Sequence, residues 1–358
     1  MSVGTENLHR LERTDTGVTT VTGIGTDAEV QADDGNAGNT GRAEGLGGTG
    51  KTDMADTGGT VGATAQDRGE LRRLSPSIRG LLVGFVLLTA LATNQLYILS
   101  AHTDSYFAWT IKPPLTAAFL GAGYAAGLVL VLLGLRAQAW VEARIAVVTV
   151  AVFSALTLLA TVLHRDRFHF NADGSIARFA AWFWLGIYIV VPVALAVLIV
   201  LQQRQSGVDP PRRDPVPIWL AGAFAVQGLI MLVVGVALYV APSTARTLWP
   251  WPLTPLTARA VAAWLIAFGV AAVLTLVERD ISRLAAGAVA YTVFGVLQLL
   301  ALLRFGEVGR WDSPAGIVYL VVLISVVPVG ATGCWLVADR ARRRRAVGGT
   351  PAGATPAR

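Results

Sequence analysis

Residues 115–135 read LTAAFLGAGYAAGLVLVLLGL, a run without a single Asp, Glu, Lys, Arg or His. A helix rising 1.5 Å per residue needs about 20 such residues to cross the roughly 30 Å hydrocarbon core of a bilayer. Gly121, Gly123 and Gly127 would weaken a helix in water. Between membrane helices small residues instead allow close approach. The stretch reads as a transmembrane helix, and the fold depends on how many others resemble it.

Seven more do, at about 80–100, 145–163, 179–201, 217–241, 260–277, 284–303 and 315–338. Their interiors carry no charged residue or histidine. The chain is 54% hydrophobic and 15% charged, where soluble domains are roughly a quarter charged. The expected fold is an all-α integral membrane protein of eight transmembrane helices. Its only cysteine is Cys334, which excludes an intrachain disulfide framework and a thiolate metal cluster.

The first 75 residues differ in kind. They are rich in Gly, Thr, Asp and Ala, and residues 1–67 carry a net charge of −7, which leaves +13 for the rest of a chain of net +6. Such a segment lacks the apolar surface to offset backbone entropy, so 1–75 is expected to be a disordered acidic tail. Within it GLGGTGKT, Gly45 to Thr52, matches the phosphate-binding loop letter for letter. That loop requires a buried strand before it and a helix after it. DDGNAGNTGRAE precedes it and DMADTGGTVGATA follows it, and neither can serve. The match reads as chance, and no nucleotide site or cofactor is expected. No apolar run within the first 30 residues suggests a cleaved signal peptide.

Lys and Arg fall unevenly about the spans: 16 beside the ends facing the two termini, closing with DRARRRR at 339–345, and 8 on the opposite side. The positive-inside rule puts both termini in the cytoplasm. The arginines flank apolar segments rather than forming one face, so the expected partner is the lipid bilayer and not nucleic acid. Heavy use of Ala, Val, Leu and Arg points to a bacterial plasma membrane.

The halves resemble each other. Pro-Leu-Thr-Ala precedes both the second and sixth spans, 141 residues apart; Ala143-Arg144-Ile-Ala and Ser282-Arg283-Leu-Ala open the third and seventh, 139 apart. Val-Val-Pro-Val recurs in the fourth and eighth, 136 apart. These matches imply two parallel four-helix repeats, 79–201 and 217–338, joined by a linker at 202–216 and followed by a basic tail at 339–358.

No buried charge marks a site. The polar residues within spans, Asn94, Gln95, Tyr124, Tyr188, Gln227, Tyr291 and Gln298, are expected to bond between helices. Candidates therefore come from the outer loops. Trp109, Trp249 and Trp251 sit in Pro-stiffened loops that either join the interfacial aromatic belt or lid a cleft between repeats. Arg165 and Arg304 occupy corresponding outer positions, where guanidinium groups could grip a phosphate or carboxylate. His164, Asp166 and His169 could act in acid–base chemistry or hold a metal, though their spacing matches no established ligand pattern. Three function classes follow: a binder or transporter of a small or lipid-like ligand, a non-catalytic subunit with a membrane-protein partner, and an enzyme of the outer interface.

Overall fold

A computed structural model describes residues 70–348. The phosphate-loop match and nearly all of the acidic tail lie outside the described residues, as does 349–358. Eight long helices account for most of the described chain: α1 (Pro76–Thr93), α2 (Pro114–Gly134), α3 (Trp140–Leu163), α4 (Ser175–Gln203), α5 (Ile218–Val240), α6 (Pro255–Glu278), α7 (Ala285–Phe305) and α8 (Pro314–Gly348). All eight are long and apolar enough to cross a membrane, as a polytopic membrane protein requires. Four begin on proline, where the missing N–H would in any case have no helical partner.

Two helices carry features that the expected spans lack. The last turn of α1 widens into a π-turn, Asn94–Ile98. Helix α8 continues through the arginine cluster to Gly348, because Ala and Arg are good helix formers and neither Gly nor Pro interrupts them before Gly348.

Helices pack in sequential pairs: α1 on α2, α3 on α4, α5 on α6, and α7 on α8. The first four meet the last four along a crossed seam, α2 against α7 and α3 against α6. Some 72% of the α2 span is buried in the protein, against 22% for α4 and α8, so α2 is central and the latter two face lipid. The glycines of α2 set its depth. A Cβ on Gly121 would lie 2.5 Å from the backbone nitrogen of Tyr97, and one on Gly123 would lie 2.6 Å from the Trp264 ring. Only glycine lets α2 touch the π-turn and α6 at once.

The seam carries a reciprocal pair of hydrogen bonds. Tyr97 Oη, at the end of α1, donates to Leu297 O on α7 at 2.8 Å. Tyr239 Oη, at the end of α5, donates to Leu156 O on α3 at 2.6 Å. Backbone pairings repeat in the same way. Leu74 N donates to Gln138 O and Trp140 N to Arg72 O; Val216 N donates to Arg279 O and Ile281 N to Asp214 O. These contacts gather the segment before α1, the 204–217 linker and the α2–α3 and α6–α7 turns at one end of the bundle, the terminal end. Arg344 of α8 reaches it too, pairing with Asp214.

Candidate ligand cavity

A cavity of about 140 Å³ lies between the two sets of four helices. The first set contributes Thr89, Tyr124, Gly127 and Phe153; the second contributes Gln227, Trp264 and Tyr291. Its size is that of cavities which hold a single aromatic ring. Among the described residues no charged side chain or histidine lines it, and an unpaired charge placed there would meet a large desolvation cost.

Its polar atoms are few and half-engaged. Tyr124 and Tyr188 face each other, hydroxyl to hydroxyl, at 3.1 Å. One donates to the other, which leaves one O–H free. Gln227 donates to Ser325 Oγ at 2.8 Å and accepts from Tyr291 Oη at 3.0 Å, so one amide hydrogen remains. Thr149 and Ser154 donate to carbonyls of their own helix and keep acceptor capacity. The site suits a neutral, mostly apolar molecule bearing one or two hydrogen-bonding atoms, such as a carbonyl or hydroxyl. Trp264 stacks on Phe153 with centroids 4.0 Å apart and meets Tyr124 edge-on at 5.4 Å, giving the cavity a stiff aromatic wall.

Toward the terminal end the seam is ionic. Glu278, 1% exposed, ends α6 and accepts from Arg283 Nη1 at 2.5 Å and from Arg144 of α3. Arg144 also pairs with Asp209 of the linker at 3.5 Å, and Arg72 lies 4.0 Å from the same carboxylate. Gly207, at φ +123°, brings the linker within reach: a Cβ there would lie 2.8 Å from Arg72 N. Burial acts to raise the Asp280 pKa, but bonds from Ser282, Arg213 and Asp214 outweigh it and hold the carboxyl below its ordinary value. Nothing in the local sequence singles out Glu278. It ends an apolar run as many exposed acids do, and its two arginines lie 134 and 5 residues away.

At the opposite, loop end the seam is aromatic. Trp251 Nε1 donates to Thr116 Oγ1 of α2 at 2.9 Å, and Trp249 meets Phe119 of the same helix edge-on at 5.4 Å. Trp109, Trp249 and Trp251 are 4%, 3% and 0% exposed. They are not an interfacial belt but internal packing, and the 246–255 loop docks on the first set of helices through two of them. Trp109 packs between Phe107 and Phe168.

The remaining loop candidates are dispersed. Arg304 donates to Tyr97 O at 3.2 Å and lies over the Tyr97 and Phe305 rings; Arg165 is exposed, and no hydrogen bond or ion pair joins the two. Asp166 pairs with Arg167 at 3.0 Å. His169 is fixed at both nitrogens, to Phe107 O and to Thr110 Oγ1, each at 3.0 Å. His164 Nε2 lies 2.6 Å from Arg259 Nη1; a guanidinium only donates, so this nitrogen accepts and the ring is neutral. Burial, then the Arg259 charge, holds its pKa below the usual value. Among the described residues no group of three metal-ligating side chains forms. None of Trp109, Arg165, Trp249, Trp251 and Arg304 lines the central cavity. Of the polar span residues, Gln298 bonds Phe119 O and Gln95 accepts from Trp184, as expected, whereas Asn94 is exposed.

No family model matches the chain, no curated protein matches it, and no solved structure matches it.

Proposed function

We propose that the protein binds a small, neutral, mostly apolar molecule between two homologous halves and passes it across or within the membrane. The cavity shared by both halves carries this reading, since its lining offers hydrogen bonds but no charge. The ligand site is thereby assigned to the bundle interior rather than to the outer loops.

Duplication is supported by more than the sequence matches. Tyr97 and Tyr239 are 142 residues apart, and the carbonyls they bond, Leu297 and Leu156, are 141 apart with the order exchanged. That exchange is what a pseudo-two-fold axis between parallel repeats requires. The positive-inside bias supports cytoplasmic termini in a bacterial plasma membrane, so the ionic seam would face the cytoplasm and the aromatic seam the exterior. Opening one seam while the other holds would expose the cavity to one side at a time. Labelling of single cysteines placed at the exposed Ser206 and Asp173, in a Cys334→Ser background, tests this: the first is expected to be protected and the second reactive in intact cells.

Ligand capture tests the function. Protein released gently from its own membrane is expected to retain a small organic molecule in native mass spectrometry. Gly127→Leu, which has room for a Cβ but projects toward Thr89 and Trp264, should abolish that retention without unfolding the protein. Retention that survives Gly127→Leu would refute the assignment of the site. A co-purifying protein with no small molecule would favour a subunit role.

A further inference from the structure

A second, larger cavity of about 370 Å³ lies at the loop end between α5 and α8 and over α7, with Phe119 of α2 also lining it. These two outer helices touch only briefly, so the space is a groove with lipid-facing walls: Leu248 and Val318, both lining it, are 47% and 49% exposed. Along α8 it runs from Pro314 to Val326. At 1.5 Å per residue that is about 18 Å, from headgroup level past the middle of a roughly 30 Å hydrocarbon core. The depth is apolar, with Ile230, Val234, Phe294 and Val322. Apart from the Trp249 and Tyr319 rings, its polar lining consists of Thr247, Arg310 and Ser313, all in the loops at the mouth.

Arg310 decides the charge of the occupant. It is exposed, its only side-chain bond is a long one to Trp249 O at 3.4 Å, and among the described residues it has no ion pair. Its backbone N donates to Pro250 O at 2.8 Å, which fixes the loop beside the groove. Thus a held cation stands at the headgroup level of a groove as long as one hydrocarbon chain. We propose that this groove is a binding site for an anionic membrane lipid, one chain lying between α5 and α8 and the phosphate meeting Arg310. Met231, an adaptable side chain, lines both this groove and the central cavity, so the lipid chain and the central ligand are separated there by one residue.

The test uses full-length protein in vesicles of phosphatidylcholine doped with phosphatidylglycerol, extracted gently and weighed by native mass spectrometry. Wild type should retain phosphatidylglycerol in preference. Arg310→Gln keeps the backbone bond and should lower that preference about fivefold, the equivalent of the ~1 kcal/mol an interfacial basic side chain gains from an anionic surface. Val318→Trp should remove retention of either lipid, whereas Gly127→Leu, which fills only the central cavity, should leave it intact. A preference unchanged in Arg310→Gln overturns the proposal. So does lipid lost through Gly127→Leu but not Val318→Trp, which would place the lipid in the central cavity. Should a variant fail to fold, a photoactivatable phosphatidylglycerol on wild type decides: crosslinks on α5 and α8 near Ile230 and Val322 are expected, and crosslinks confined elsewhere refute the site.

Discussion

The two ends of the seam hold the same helices together by different physics. At the terminal end the buried pair of Glu278 and Arg283 is joined to the half-buried Arg144 and Asp209 in one charge cluster. At the loop end, Trp249, Trp251, Phe119 and Tyr319 form an aromatic block with one indole hydrogen bond. Aromatic packing carries no net charge and barely responds to ions. A charge cluster is only as good as its completeness, because removal of one member strands the others in a poor dielectric. If the halves part at one end first, the ionic end is the one that salt or a bound ion can bias.

The largest effect is therefore expected at Glu278. Glu278→Ala leaves two arginines facing each other without their carboxylate and should cost about 3–5 kcal/mol, the usual penalty of breaking a buried pair. Thermal unfolding in detergent measures it; a loss below about 1 kcal/mol would mean that the cluster is solvated and that the contrast between ends is weak.

A middle-sized effect tests the symmetry of the seam. Tyr97→Phe and Tyr239→Phe each remove one hydroxyl from equivalent bonds. Hydrogen bonds between membrane helices average about 0.6 kcal/mol and reach about 1.7, so the two losses should fall in that range and match. Strongly unequal values would show that the halves contribute differently despite their shared bonding pattern.

The smallest effect concerns pH at the loop end. The folded protein holds His164 below its ordinary pKa of 6.5. The neutral ring's contribution is thus present above pH 6.5 and is lost as pH falls through the lowered value. As pH falls from 6.5 to the lowered value, wild type should lose stability more steeply than His164→Gln, which accepts from Arg259 at any pH. Parallel slopes would remove His164 from the seam.

Much of the architecture is legible in one dimension. The expected span at 217–241 is α5, Ile218–Val240, and that at 315–338 lies within α8. Hydropathy suffices because lipid offers no partner for backbone polar groups, so an apolar run of this length must be helical. Gly121 and Gly123 also read correctly as sites of close approach. The tryptophans did not. An indole at the end of a span is the same in sequence whether it faces headgroups or turns inward, and only the docking of 246–255 on α2 separates the two. The neighbours of His164, Asp166 and His169 were hidden for a similar reason: three polar residues within six positions read as one cluster, while each turns to a different partner.

By itself the sequence determined eight helices apolar enough to span a membrane and the side of them on which arginine collects, both carried by the order of residues along the chain. Tertiary structure alone decided that Glu278 is buried between two arginines, that Tyr97 and Tyr239 exchange bonds across the seam, and that a charge-free cavity lies between the halves. Most of these pairings join residues more than 80 positions apart. Their energies depend on distances that exist only once the helices have packed.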